Sequence, residues 1–193
     1  MNILTVNLLF STFIFWVMAR IYLLPRLQVL RIQSVVTPIL LLHSFRHLGL
    51  MFLSQGGTYP GIPLQFAYPA ALGDLLAAIL ALILVFLVNV DLRKARSLLW
   101  VFNVVGTLDL ILAIALATIY HASSFMGPAY WIPALWVPAL LVTHYVTFVL
   151  LAKHWNRTEV SNSRDHSLSR GRISTRQMST AEHTPPWSDH DLS

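Results

Sequence analysis

The sequence predicts an all-α integral membrane bundle of about five transmembrane helices, with its N-terminus outside and its C-terminus in the cytoplasm. Three observations predict it. Hydrophobic residues make up 56% of the 193 and charged residues only 11%, where soluble chains carry about a quarter charged residues. The apolar residues are gathered into blocks of about 20, the length of helix that crosses roughly 30 Å of hydrocarbon, instead of recurring at the one-face period of a soluble helix. The basic residues fall in alternate connections between those blocks.

The first block, 3–19, is followed by Arg20, Arg26 and Arg31. It has no basic residue ahead of it and no small-residue cleavage site behind it, so it reads as a retained anchor and not a signal peptide. The second, 35–53, places Pro38 in its first turn, where a missing N–H costs nothing. An uncharged stretch, 54–68, carries Gly56, Gly57, Pro60, Gly61 and Pro63 and reads as a turn-rich cap. The third block, 69–90, begins on Pro69 and is followed by Arg93, Lys94 and Arg96. The fourth, 98–120, leads into 121–130, which has no Lys, Arg, Asp or Glu.

The fifth block, 130–152, has Pro133 in its first turn and Pro138 deep enough to kink the helix. Lys153, Arg157 and Arg164 follow it. Every positive connection is then on one side, the cytoplasmic one. Trp100 and Trp155 mark the inner headgroup level, and Tyr59, Tyr68, Tyr120, Tyr130 and Trp131 mark the outer one. The remainder, 156–193, is rich in Ser, Thr, Arg and His and reads as a disordered cytoplasmic tail whose basic first part suits anionic lipid. These features point to the cell (inner) membrane.

Several chemistries are excluded. The chain has no cysteine, which removes disulfides, thiolate metal sites and cysteine nucleophiles. The formal charge of +5 is confined to short stretches without a groove-reading motif, so it marks topology and not nucleic acid. The lysines, Lys94 and Lys153, lie at cytoplasmic boundaries, where no buried Schiff base forms. There is no phosphate-binding loop, dinucleotide fingerprint, GxSxG nucleophile or HExxH metal spacing, and the chain leans away from an enzyme.

What remains is a set of polar residues inside the blocks: His43, Arg46 and His47 in the second, Asp74 in the third, Asn103 and Asp109 in the fourth, and His144 in the fifth. An Asp or Arg at the centre of a membrane helix costs about 2.5–3.5 kcal/mol on insertion scales, so such residues carry partners or roles. At 100° per residue, His43, Arg46 and His47 share one arc of the second helix. Asp74 shares a face with Ala70, Ala77, Ala78 and Ala81, and Asp109 lies beside Gly106, both pointing at helix interfaces. Arg46 has the reach and the fork of donors to meet either carboxylate, and an Arg between two Asp residues would leave about one net negative charge.

Four functional readings and one structural reading follow from this cluster. The structural reading is an ion pair that locks the second, third and fourth helices in register. The leading active reading is ion or proton coupling, on a line from Asp74 through His47, Arg46 and Asp109 to His43 and His144; a bundle this small would then act as a homo-oligomer. The main alternative is an accessory or assembly subunit bound to a membrane protein partner. A b-type haem held by His43 and His144 and a lipid-modifying enzyme stand behind these.

Overall fold

The computed structural model describes residues 3–154. The expected tail, 156–193, with Trp155, Arg157 and Arg164, lies outside the described residues. Within them are five helices long and apolar enough to cross a membrane: Ile3–Leu27, Ile32–Leu53, Leu64–Val90, Leu92–Ile119 and Gly127–Lys153. We number them as the first to fifth spans. Consecutive spans run in opposite directions, so one end of the bundle carries the turns 54–63 and 121–126. The other end carries Arg20, Arg26, Arg31, Arg93, Lys94, Arg96 and Lys153. We call these the cap end and the basic end.

Several helices begin earlier than hydropathy alone suggests. The third span starts at Leu64 behind an extended Pro63, and the second at Ile32, so Pro69 and Pro38 lie inside their helices and not in the first turn. In these added turns Ile32, Phe66 and Ala67 are buried, so packing extends the helices past the hydropathy boundary. The third and fourth spans form a hairpin with a single extended residue, Asp91, between them. Asp91 caps the fourth span by accepting hydrogen bonds from the backbone N–H groups of Arg93 and Lys94, both at 3.1 Å. The expected basic loop is therefore the first turn of a 28-residue helix, which at 1.5 Å per residue is about 42 Å long and outreaches the hydrocarbon.

The third span is the hub. Its buried row Ala67, Ala70, Ala71, Asp74, Ala77, Ala78 and Ala81 keeps to a helical i, i+3/i+4 stripe of small residues, which lets neighbouring backbones come close. The second and fourth spans pack on it. The first span stands apart from the hub and packs along the fifth.

Two departures from regular α-helix matter for the site. The second span is α-helical over Ile32–Ser44 and then tightens to a 3₁₀-helix over Phe45–Leu53. In the fifth span, a π-helical turn at Ile132–Trp136 contains Pro133 and leads into Pro138; the wider turn adapts the backbone ladder to the N–H that Pro138 lacks. At the cap end the two turns join: Tyr59 N–H donates to Phe125 O at 2.8 Å, and Ala129 N–H to Gly57 O at 2.9 Å. Gly56 and Gly61, with φ of 87° and 90°, allow the first of these turns to fold back.

Candidate functional site

A 3₁₀-helix repeats every three residues. Over Phe45–Leu53 this places Arg46, Gly49 and Phe52 in one row, and those are the buried residues of the segment. Arg46 is 1% exposed. Its Nε donates to Asp74 Oδ1 at 2.7 Å, its Nη2 donates to Asp109 Oδ2, and its Nη1 donates to the backbone carbonyl of Gly106 at 3.3 Å. Each guanidinium nitrogen thus has its own acceptor, on the third span and at two points of the fourth. One positive and two negative groups sum to a formal charge of −1.

Glycines make room for these groups. A Cβ on Gly49 would collide with the Asp74 carboxylate, and one on Gly73 with the Asp109 carboxylate. A Cβ on Gly106 would stand 2.7 Å from His144 Cε1, 2.8 Å from its Nε2 and 3.2 Å from Arg46 Nη1. The charges can converge only because three helices lack a side chain at the crossing points.

Next to Arg46 lies a histidine pair. The rings of His43 and His144 are 4.3 Å apart between centroids, and both pack on Phe102 at 5.3 and 5.5 Å. His43 Nε2 is 3.0 Å from Thr143 Oγ1, whose own proton goes to the carbonyls of Ala139 and Leu140. That hydroxyl therefore accepts, and His43 carries its proton on Nε2. Asn103 Nδ2 donates to His144 O at 3.1 Å, so Asn103 Oδ1 accepts from His144 Nδ1 at 2.7 Å. Each imidazole is left with one bare nitrogen, His43 Nδ1 and His144 Nε2, buried and without a hydrogen-bond partner among the described residues. From His43 through His144 and past Gly106 to Arg46 and the two carboxylates, the polar groups form one contiguous string.

The structure brings together His43, Arg46, Asp74, Asn103, Asp109 and His144. It does not bring His47 to them. His47 is exposed and its Nδ1 faces Ser44 O at 2.9 Å. The α-helical arc assumed for His43, Arg46 and His47 fails because the 3₁₀ turn begins between His43 and Arg46. This rotates the fourth-neighbour position out and the third-neighbour position, Gly49, in. The line drawn through His47 is corrected accordingly.

The haem expectation meets a geometric obstacle. An iron between two imidazoles holds the ring centres roughly 6 Å apart with the macrocycle in between. Here the rings are in contact and wedged on Phe102, so this pair does not fit bis-histidine haem ligation. Among the described residues, no group of three or more His, Cys, Asp or Glu is arranged to hold a metal ion.

Sequence reasoning missed Gly49, Gly73 and Thr143. Gly49 and Gly73 had a readable signal, a glycine three residues after Arg46 and one immediately before Asp74. Thr143 precedes His144 on a helix face that only the packing reveals.

Compared with curated proteins and with solved structures, the chain has no match. A family model, described as a domain of unknown function (DUF8737), matches residues 3–152. That range covers all five spans but for the final residue of the fifth, Lys153, and every residue of the buried string, and the chain belongs to this family.

Proposed function

We propose that this is a multi-pass protein of the cell membrane, with the basic end in the cytoplasm and the cap end outside, whose buried cluster takes up and releases a proton or a small monovalent cation. The observation that carries the reading is the charge balance: one guanidinium is shared between two carboxylates. In surroundings of low dielectric, an uncompensated charge is far more expensive than at a surface. The cluster reaches neutrality by gaining one positive charge. A site built only to lock helices would be served by one Arg and one Asp; the second carboxylate is what asks for a mobile cation. The two bare imidazole nitrogens beside Arg46 supply acceptors along the string towards the basic end.

The test is proton movement in liposomes holding the purified chain and a pH-sensitive dye, driven by a potassium diffusion potential. The expected result is acidification of the lumen that is lost in Asp109→Asn and retained in His47→Gln, whose side chain stands off the string. Liposomes as tight as protein-free ones, with potassium or sodium as well as protons, would overturn the reading. The ion cluster would then be a helix lock, and an accessory-subunit role would take its place.

A further inference from the structure

At the cap end the bundle holds a partly open cavity of ≈ 250 Å³, walled by Leu8 of the first span, Phe66 of the third, Ile114 of the fourth and Val137 of the fifth, with Met126 above. Its walls are apolar apart from Thr5 and Thr118, and Asp74 is the one ionisable residue that lines it among the described residues. Asp74 Oδ1 is taken by Arg46 Nε, while Oδ2, over Gly49, accepts no hydrogen bond from the described residues. The Asp74 side chain keeps 12% of its surface accessible. The cavity therefore ends on a free carboxylate oxygen that belongs to a cluster of net charge −1.

We infer that this cavity binds a lipophilic monoamine, its ammonium group donating to Asp74 Oδ2 and its apolar body filling the space between the first and fourth spans. The inference rests on the charge balance proposed above and names a guest that fits it. A single cation brings the cluster to neutrality, whereas an anion is repelled and a neutral alcohol leaves the net charge in place. The volume holds a body of about a dozen non-hydrogen atoms, at the small end of ligand pockets. The entry is on the lipid side: the first span packs along the fifth and faces Ile114 and Thr118 of the fourth across the cavity itself. A molecule dissolved in the adjacent leaflet reaches Asp74 through the opening between those two helices, where Thr5 and Thr118 are exposed. The amine and the proton or metal cation are then alternative occupants of one negative charge and compete for it.

The experiment measures ligand-dependent thermal unfolding of the full chain in detergent with three probes of equal length: 4-phenylbutylamine, 4-phenylbutanol and 4-phenylbutyrate. The amine is expected to bind at least about ten-fold more tightly than the alcohol, a difference of about 1.4 kcal/mol, and the carboxylate not at all. Asp74→Asn should bring amine and alcohol to equal affinity. Thr5→Trp, an exposed change on the first span that intrudes on the cavity, should weaken the amine at least ten-fold without affecting the fold. Equal binding of amine and alcohol by the native chain would overturn the inference, as would amine binding indifferent to Thr5→Trp. Amine binding in a protein that moves no cation would remove the coupling reading and keep the site; cation movement without amine binding would do the reverse.

Discussion

Asp91 and Asp74 each accept hydrogen bonds and each stand beside a basic side chain, yet the fold uses them in opposite ways. Asp91 sits in the hairpin at the basic end, open to solvent, with Lys94 Nζ 3.5 Å away and that lysine side chain 79% exposed. Its firm partners are the backbone N–H groups of the fourth span. Asp74 has no backbone donor among the described residues; its partner is the buried guanidinium of Arg46. Water screens the first pair, so its ion contact contributes little and its cap contributes most. The second is held where nothing else compensates charge, so each member depends on the others. The same carboxylate chemistry thus ends a helix in one place and fixes three helices against one another in the other.

The sharpest way to break this contrast is to remove the shared cation. Arg46→Leu strands two carboxylates and should destabilise the bundle by roughly 3–5 kcal/mol, read as a loss of thermal stability in detergent. Arg46→Leu combined with Asp74→Asn and Asp109→Asn should recover most of that loss, because the penalty lies in the uncompensated charges and not in a missing contact. Arg46→Lys should rescue poorly, since the donors of an ammonium all sit on one nitrogen and cannot span Asp74, Asp109 and Gly106 as the three guanidinium nitrogens do. If the triple variant is no more stable than Arg46→Leu, the electrostatic account of the cluster is wrong.

The glycines come next. Gly73→Ala places a methyl group on the Asp109 carboxylate, and Gly106→Ala places one against His144 and Arg46. Overpacking of this kind costs about 1–3 kcal/mol, and here the atoms that must yield belong to the cluster. Both variants should therefore lose proton movement in liposomes by more than their loss of stability explains. Equal losses in the two measurements would make these glycines packing residues only.

The helical class was readable because lipid-facing helices write their lengths directly as apolar runs, and the polar exceptions within them stand out. Arg46, Asp74, Asp109 and His144 are conspicuous for that reason. That Arg46 could reach either carboxylate followed from reach and charge; that it holds both at once depends on the packing of the second, third and fourth spans. What could not be read is the helix type of Phe45–Leu53. Hydropathy does not distinguish three residues per turn from 3.6, and that difference sends His47 outward and Gly49 inward. Nor did composition show that 92–97 belongs to a helix, because a basic stretch looks alike as a loop or as the first turns of a helix that outgrows the hydrocarbon.

Asp91 gives the smallest effect, and its pH dependence separates it from the buried carboxylates. The hydrogen bond from the backbone N–H of Lys94, ahead of the attraction of its ammonium, holds the Asp91 carboxyl below the ordinary carboxylate range. A carboxyl with a depressed value in the fold stabilises the native state fully above its unfolded value, about 3.9. That contribution fades as the pH falls through the folded value. Asp91→Ala should therefore lower the midpoint of thermal unfolding slightly at pH 7, with the gap to the native chain closing below about pH 4. Asp91→Asn retains a side-chain oxygen for the cap and should sit between the two. High salt should leave these differences nearly unchanged if the backbone cap carries them, and should erase them if the Lys94 ammonium does. A difference that salt erases would move Asp91 from helix cap to surface ion pair and weaken the contrast with Asp74.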